Sequence, residues 1–255
     1  MTYGLWLSAG GLQINRYRQE IVTNNLANVE TVGFKRDLAV IHERPVESQG
    51  AVDGPPHAHR LLDRLSGGNW VRPTHTDFDQ GDLVRTGGDL DAAIHGDGFF
   101  TVRDGNTTRY TRDGRFTLNP QGELVMGAGE GRVKVMDAAG RTITLDPDGG
   151  EIVIGRDGSI RQGNVPVAML NVVEFPDRQA LRKVGGNLFT AVGARPTTPQ
   201  NSEVHGGFIE RSAQNPLTGL VEMIEVSRAL ELNARMISLQ DQTIGQAVNT
   251  VGRVR

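Results

Sequence analysis

Apolar residues recur seven apart at Leu7, Ile14 and Ile21, with Leu5, Leu12, Val22 and Leu26 widening the stripe. This spacing predicts an amphipathic helix over roughly residues 4–28. Asn is a mediocre helix former and Gly a common stop, so residues 24–33 read as a helix end followed by a turn. Gly10-Gly11 weakens the first turns by about 1 kcal/mol per glycine relative to alanine, so this helix needs a partner. A stronger pattern closes the chain. Leu220, Met223, Ser227, Leu230, Ala234, Ile237, Asp241, Ile244, Val248 and Val251 follow three-four spacing, the signature of a coiled-coil seam. Pro216 suits a first helical turn and Asn215 can cap it, which places the start near 216 and gives a helix of about 50 Å at about 1.5 Å per residue. Ser227 and Asp241 weaken a dry seam but can fix its register. A two-helix hairpin within one chain is the competing reading. The polar seam positions and paired glycines favour partners in other chains instead.

Between the helices the period changes. Residues 37–84 lack clear periodicity and carry Pro45, Pro55, Pro56, Pro73, Gly50, Gly54, Gly67 and Gly68, as an extended connector would. Short strand-like runs then follow at 99–102, 108–112, 115–118, 123–126, 133–136, 141–145, 152–155, 159–162 and 165–175. Turn signals separate them: Asp104-Gly105-Asn106, Asp113-Gly114, Asn119-Pro120-Gln121-Gly122 and Asp157-Gly158. Many of the 33 glycines follow Asp or Asn, which marks tight turns. The expected fold class is α+β: long N- and C-terminal helices packing as a coiled-coil-like layer, with a central, mainly antiparallel β domain. Its expected divisions are residues 1–36 (helix and Asn-rich motif), 37–84 (connector), 85–190 (β domain), 191–215 (return loop) and 216–255 (second helix).

The chemistry of the chain narrows its function. Thirty acidic against 27 basic residues give a net charge of -3, with no clustered Lys and Arg to attract nucleic acid or anionic lipid. No run of about 18 apolar residues occurs, so no membrane insertion is expected. The N-terminus lacks the ordered regions of a secretory signal. There is no cysteine, which removes disulfides, thiolate metal sites and cysteine nucleophiles together. His57-Ala58-His59 lies in the connector without a carboxylate at helical spacing, and reads as solvated loop. Gly96-Asp97-Gly98 lacks the Gly-Lys-Ser/Thr of a phosphate loop, and 146–151 lacks the ligand set of a calcium loop. Asp97, Asp104, Asp113 and Asp157 each precede glycine, where turn formation accounts for them. No catalytic residue, cofactor-binding residue or metal ligand is assigned, and no cofactor is expected. Asn24, Asn25 and Asn28 carry amides along one helix end, and burial between subunits would require partners for them.

The chain resembles the bacterial flagellar rod and hook proteins, the axial family of the basal body, over nearly its whole length. The resemblance is carried first by Asn24-Asn25-Leu26-Ala27-Asn28 with Thr31 and Gly33-Phe34-Lys35-Arg36. In the middle, Leu90-Asp91-Ala92-Ala93-Ile94, Gly96-Asp97-Gly98-Phe99-Phe100 and Tyr110-Thr111-Arg112-Asp113-Gly114 are similar to the β-domain motif of rod proteins. Glu222-Met223-Ile224 and Arg228-Ala229 with Glu231 and Asn233 complete it. The length fits a rod protein better than the larger hook protein. Asn215-Pro216-Leu217, Gln240-Asp241-Gln242-Thr243 and Val251-Gly252-Arg253 are similar to the proximal rod class. Leu230 departs from the family pattern, where an aromatic residue is common, and Ser227 stands where Gln is frequent.

The resemblance implies a structural subunit of the rod that polymerises through its terminal helices into the axial drive shaft, with an outer β domain. It implies copies of the chain and other rod subunits as partners. It also implies export from the cytoplasm by the flagellar type III apparatus without a cleaved signal peptide, and a place in the periplasm-spanning rod. The expected assembly interface comprises Leu7, Ile14, Ile21, Asn24, Asn25, Leu26, Asn28, Met223, Leu230, Ile237 and Ile244. The alternatives are a distal rod or hook-type subunit, a cell-wall glycan-binding β module using Trp70, Phe99, Phe100 and Tyr110, or a peptidoglycan hydrolase, for which no acid–base pair is assignable.

Overall fold

The computed structural model describes residues 2–43, 68–129, 131–147 and 149–251. His57-Ala58-His59, Pro45, Pro55, Pro56, Gly50, Gly54, Gly67 and Asp148 lie outside the described residues. The chain opens with helix α1 (Thr2–Ala27) and closes with helix α2 (Pro216–Val251). Between them run β1 (Asp37–Glu43), β2 (Asn69–Thr76), β3 (Leu83–Arg85), β4 (Ala92–His95), β5 (Phe99–Asp104), β6 (Thr107–Thr111), β7 (Phe116–Leu118), β8 (Leu124–Met126) and β9 (Val133–Val135). They continue as β10 (Ile152–Ile154), β11 (Ser159–Gln162), β12 (Val165–Met169), β13 (Val172–Val173), β14 (Leu181–Gly185), β15 (Leu188–Ala191), β16 (Glu203–Gly206) and β17 (Phe208–Glu210). Helices at both ends and an antiparallel β domain between them make the fold α+β.

Two compact units divide the chain: Met1–Ala27, Asp37–His75 and Pro216–Arg255 form one, and Asn28–Arg36 with Thr76–Asn215 form the other. The signature segment 28–36, expected to belong with the first helix, is thus part of the β unit. Residues 191–215, expected as a return loop, contain β16 and β17.

In the β unit one eight-stranded sheet follows the order β14-β15-β6-β5-β9-β8-β7, with β13 paired to β5 off that path. A three-stranded sheet β10-β11-β12 and the pairs β16-β4 and β17-β3 complete it. Turn chemistry sets the hairpins. Gly105, at φ 59, supplies the left-handed residue between Asp104 and its partner Thr107, and Gly158, at φ 80, does so between β10 and β11. Asp113-Gly114 behaves differently from a surface hairpin turn. Asp113 is buried, and a Cβ on Gly114 would lie 1.6 Å from the Ala92 carbonyl oxygen, so this glycine permits a close backbone crossing.

Apolar residues of these strands and of the segments between them build two cores. The larger includes Phe100, Val102, Leu124, Val135, Ile143 and Ile160. The smaller gathers Phe78, Phe99, Tyr110, Phe175, Leu181 and Phe189, with Tyr110 and Phe175 edge to face at 4.8 Å between ring centroids. Phe99, Phe100 and Tyr110 are therefore core residues and cannot form a glycan platform; of the four aromatics considered for that role, Trp70 is the exposed one.

The helical unit is built on the opposite plan. The two helices pack against one another within one chain, and β1 pairs with β2 and touches α1. Pairing is antiparallel: Gly4 faces Gln240 and Gly11 faces Asn233, with a Cβ at either glycine falling 3.1 or 3.2 Å from those side chains. The intrachain hairpin, the competing reading of the sequence, is what the structure contains.

Candidate functional site: helix faces and a buried signature

The residues of α2 sort onto two faces. Met223, Leu230, Ile237 and Ile244, the expected interface row, are half-buried on the side carrying Asn233 and Gln240, which meet α1. Of the expected companion row, Leu220, Ala234, Asp241 and Val248 are exposed and Ser227 is half-buried. Val226, Asn233, Gln240 and Ala247 complete the covered stripe in its place. The reason lies on α1: Gly4 and Gly11 leave room for the amide side chains of Gln240 and Asn233, and Gln240 also donates to Ser8 Oγ at 3.4 Å. Glycines that look like helix breakers in the sequence are contact positions here, except Gly10, whose Cβ would meet nothing within 4 Å.

At about 100° of rotation per residue, Leu217, Leu220, Val221, Ile224, Leu232 and Leu239 lie on the side of α2 opposite that stripe. All six are exposed, Leu217 to 72% and Leu232 to 60%. Among the described residues of the helical unit, Ile14 and Val226 are the fully buried large apolar side chains. This helix is apolar on two faces, and one of them is uncovered in the single chain.

On α1, Ile14 is buried to 8% exposure, Leu7, Ile21 and Leu26 are half-buried, and Asn24 is exposed. Asn25 is buried and satisfied within the chain: its Nδ2 donates to the Asp37 carbonyl at 2.7 Å and its Oδ1 accepts from the Asp37 amide at 3.0 Å. Asn28 Oδ1 accepts from Thr31 Oγ1 at 3.2 Å. The two amides thus act on neighbouring backbone and side chain, pinning the helix end and the turn after it.

The rest of the signature is built into the β unit. Gly33 adopts φ 67, and a Cβ there would lie 2.4 Å from the backbone carbon of Arg112, so glycine is required both by conformation and by space. Phe34 is buried beneath the Lys183 ammonium, 4.5 Å from its ring centroid. Lys183 Nζ also donates to the Lys35 carbonyl, and Asn187 Nδ2 to the Val32 carbonyl at 2.9 Å. Asn187 itself is left-handed at φ 58 in the β14–β15 turn.

Three buried charges meet at this segment. Lys35 Nζ lies 2.6 Å from Glu210 Oε1, and Arg112 Nη1 lies 3.3 Å from Glu210 Oε2, all with side chains about 1% exposed. Lys35 also donates to the Asp79 carbonyl at 2.8 Å, Arg112 Nη2 to the Gly96 carbonyl at 2.7 Å, and the Gly81 amide to Glu210 Oε1 at 2.9 Å. Arg112 lies 4.8 Å above the Phe99 ring. Burial pulls the Lys35 ammonium below its ordinary range while Glu210 opposes the shift. The cluster ties residues 175 positions apart, which no local pattern reveals; Lys35 and Arg112 stand in the motifs, but Glu210 carries no sequence signal. Among the described residues no group of His, Cys, Asp and Glu is placed to hold a metal ion, and no helix is long and apolar enough to cross a membrane.

An α+β chain whose signature locks a β unit and whose C-terminal helix exposes an apolar face has the form of an assembly subunit. Three family models match it in order. They are the flagella basal body rod protein over residues 7–35, the flagellar hook protein FlgE/F/G D1 domain over 93–162, and the flagellar basal body rod FlgEFG protein C-terminal region over 205–250. The flagellar basal-body rod protein FlgF of Caulobacter vibrioides is 34% identical over 94% of both chains. FlgG of Buchnera aphidicola subsp. Schizaphis graminum is 34% identical over 96% of this chain and 98% of its own, and FlgG of Bacillus subtilis 29% over 98% and 99%. The chain belongs to the flagellar basal-body rod protein family, proximal rod class, and is a structural subunit of the rod. Rod proteins assemble with one another and with their own copies in the basal body.

Proposed function

We propose that this subunit polymerises through the outer face of α2, which packs onto the helices of neighbouring subunits as a coiled-coil-like layer and carries torque along the periplasm-spanning rod. The observation that supports this is the uncovered row Leu217, Leu220, Val221, Ile224, Leu232 and Leu239. A fully buried Leu contributes roughly 1.5–3 kcal/mol, so covering several of them between subunits is a large driving force. The intrachain face of α2, with Met223, Leu230, Ile237 and Ile244, orients that row by packing toward α1, on which Leu7, Ile21 and Leu26 are half-buried and Asn24 is exposed. The chain reaches its site through the flagellar type III apparatus, and acts by packing, with no catalysis and no cofactor. Substituting Leu232→Asp in a strain lacking the natural copy tests this: secretion persists while rod incorporation and swimming are lost. Normal swimming would refute it.

A further inference from the structure

The backbone passes between the two units four times, after Ala27, Arg36, His75 and Asn215. Within the β unit, the segments leading from these crossings converge on one cluster. Lys35 and Arg36 precede the second crossing, Asp77 and Asp79 follow the third, and Glu210 and Arg211 approach the fourth. Arg36 Nε and Nη2 each lie 2.8 Å from Asp77 Oδ2, and the Asp77 amide donates to the Arg36 carbonyl at 2.9 Å. Lys35 bridges the Asp79 carbonyl and Glu210. The Gly33 amide donates to the Glu210 carbonyl at 2.8 Å, and the Arg211 amide to the Asp82 carbonyl at 2.9 Å. A Cβ on Gly81 would lie 1.8 Å from the Arg211 carbonyl oxygen, so these segments touch backbone to backbone. Arg112 anchors Glu210 to the sheet through the Gly96 carbonyl.

We infer that this cluster is a mechanical clasp: force entering the β unit from the helical unit is taken up at Glu210 and its partners before it reaches the hairpins of the sheet. The geometry assigns this role because every covalent route out of the unit passes through or beside the clasp, and its bonds tie those routes to one another. A surface ion pair would exchange with water under load. Here Lys35, Arg112 and Glu210 are dry, so separating them exposes uncompensated charges at once. The inference rests on the assembly reading only for its use in a turning rod; the clasp is a property of the single chain and is tested there.

The absence of cysteine allows pulling handles to be placed at will. One pair, Glu30→Cys and Ala213→Cys, at exposed positions, loads the clasp; a reference pair, Asn106→Cys and Asn164→Cys, loads the β5–β6 and β11–β12 turns. At constant force across 30 and 213, Glu210→Gln shortens the lifetime of the folded β unit by on the order of a hundredfold. Across 106 and 164 it changes by no more than about threefold, because rupture begins at the turn ends of these hairpins, the β5–β6 turn lying at the opposite end of its hairpin from Arg112. Equal shortening along both axes, or none along the first, overturns the inference. If Glu210→Gln does not fold, Asp77→Asn at the half-exposed rim carries the same comparison, with the same two outcomes.

Discussion

Two leucines two residues apart on α2 separate the roles of its faces. Leu230 is half-buried on the α1 side, and Leu232 is 60% exposed on the other. In the monomer, Leu232→Asp loses little packing; the change is a few tenths of a kcal/mol of helix propensity, close to the range of about ±0.5 kcal/mol for surface substitutions. In the polymer the same position gives up about 1.5–3 kcal/mol of leucine burial, and an unpaired carboxylate raises the loss further. At about 1.4 kcal/mol per tenfold, association weakens by about 10- to 100-fold or more at every subunit contact. Leu230→Asp behaves otherwise. Its side chain already packs within the chain, so the helical unit of the monomer is destabilised by about 1–3 kcal/mol. Circular dichroism melts of the two purified variants, with secreted and rod-incorporated protein measured in a null strain, read out both effects. Leu232→Asp gives a wild-type melt and no rods, and Leu230→Asp an early helical transition with the β transition unchanged. Normal rod incorporation of Leu232→Asp, or identical melts for the two variants, refutes the assignment of faces.

Neighbouring glycines in α1 respond with opposite signs: Gly10→Ala, with open space for its Cβ, raises helical stability by about 1 kcal/mol, while Gly11→Leu presses on Asn233 and lowers it by about 1–3 kcal/mol, as denaturant melts will show. Gly33→Ala combines left-handed strain with a backbone clash at Arg112, together about 3–5 kcal/mol, and lowers the β-unit Tm by about 6–20 °C. A calorimetric Tm within 2 °C of the unsubstituted chain, a margin of about 1 kcal/mol or less, contradicts that. Burial pushes the Asp77 carboxyl up, but the Asp79 amide and Arg36 outweigh it, and backbone bonds from Arg141 lower Asp137, so both titrate below their unfolded values. Each therefore contributes stability above about pH 4 that is lost as pH falls through its folded value, and Asp77→Asn flattens this acid limb in urea titrations.

The helices and hairpins are legible in the sequence because their signals are local: the seven-residue row of Leu7, Ile14 and Ile21, Pro216 after Asn215, and Gly105 and Gly158 at tight turns. What lies beyond such reading depends on long-range contact. Asn233 and Gln240 lie outside the apolar seam read from the sequence, yet glycines more than 200 positions away accommodate them against α1. Asn25 and Lys35 can be recognised as parts of a signature, but whether an amide or a charge is satisfied within the chain or by a neighbour is decided by Asp37 and Glu210. A helix with two apolar faces also blurs its own periodicity, which is why one seam was legible and the second, outward one was not.

The most direct test of assembly through the outer face of α2 is cross-linking in isolated basal bodies, since the cysteine-free chain permits single reporters. Leu232→Cys, treated with a short bifunctional thiol reagent, yields a ladder of linked subunits, while Leu230→Cys, covered within its own chain, stays monomeric. Assembled rods in which Leu232→Cys remains monomeric and Leu230→Cys forms the ladder would contradict the account.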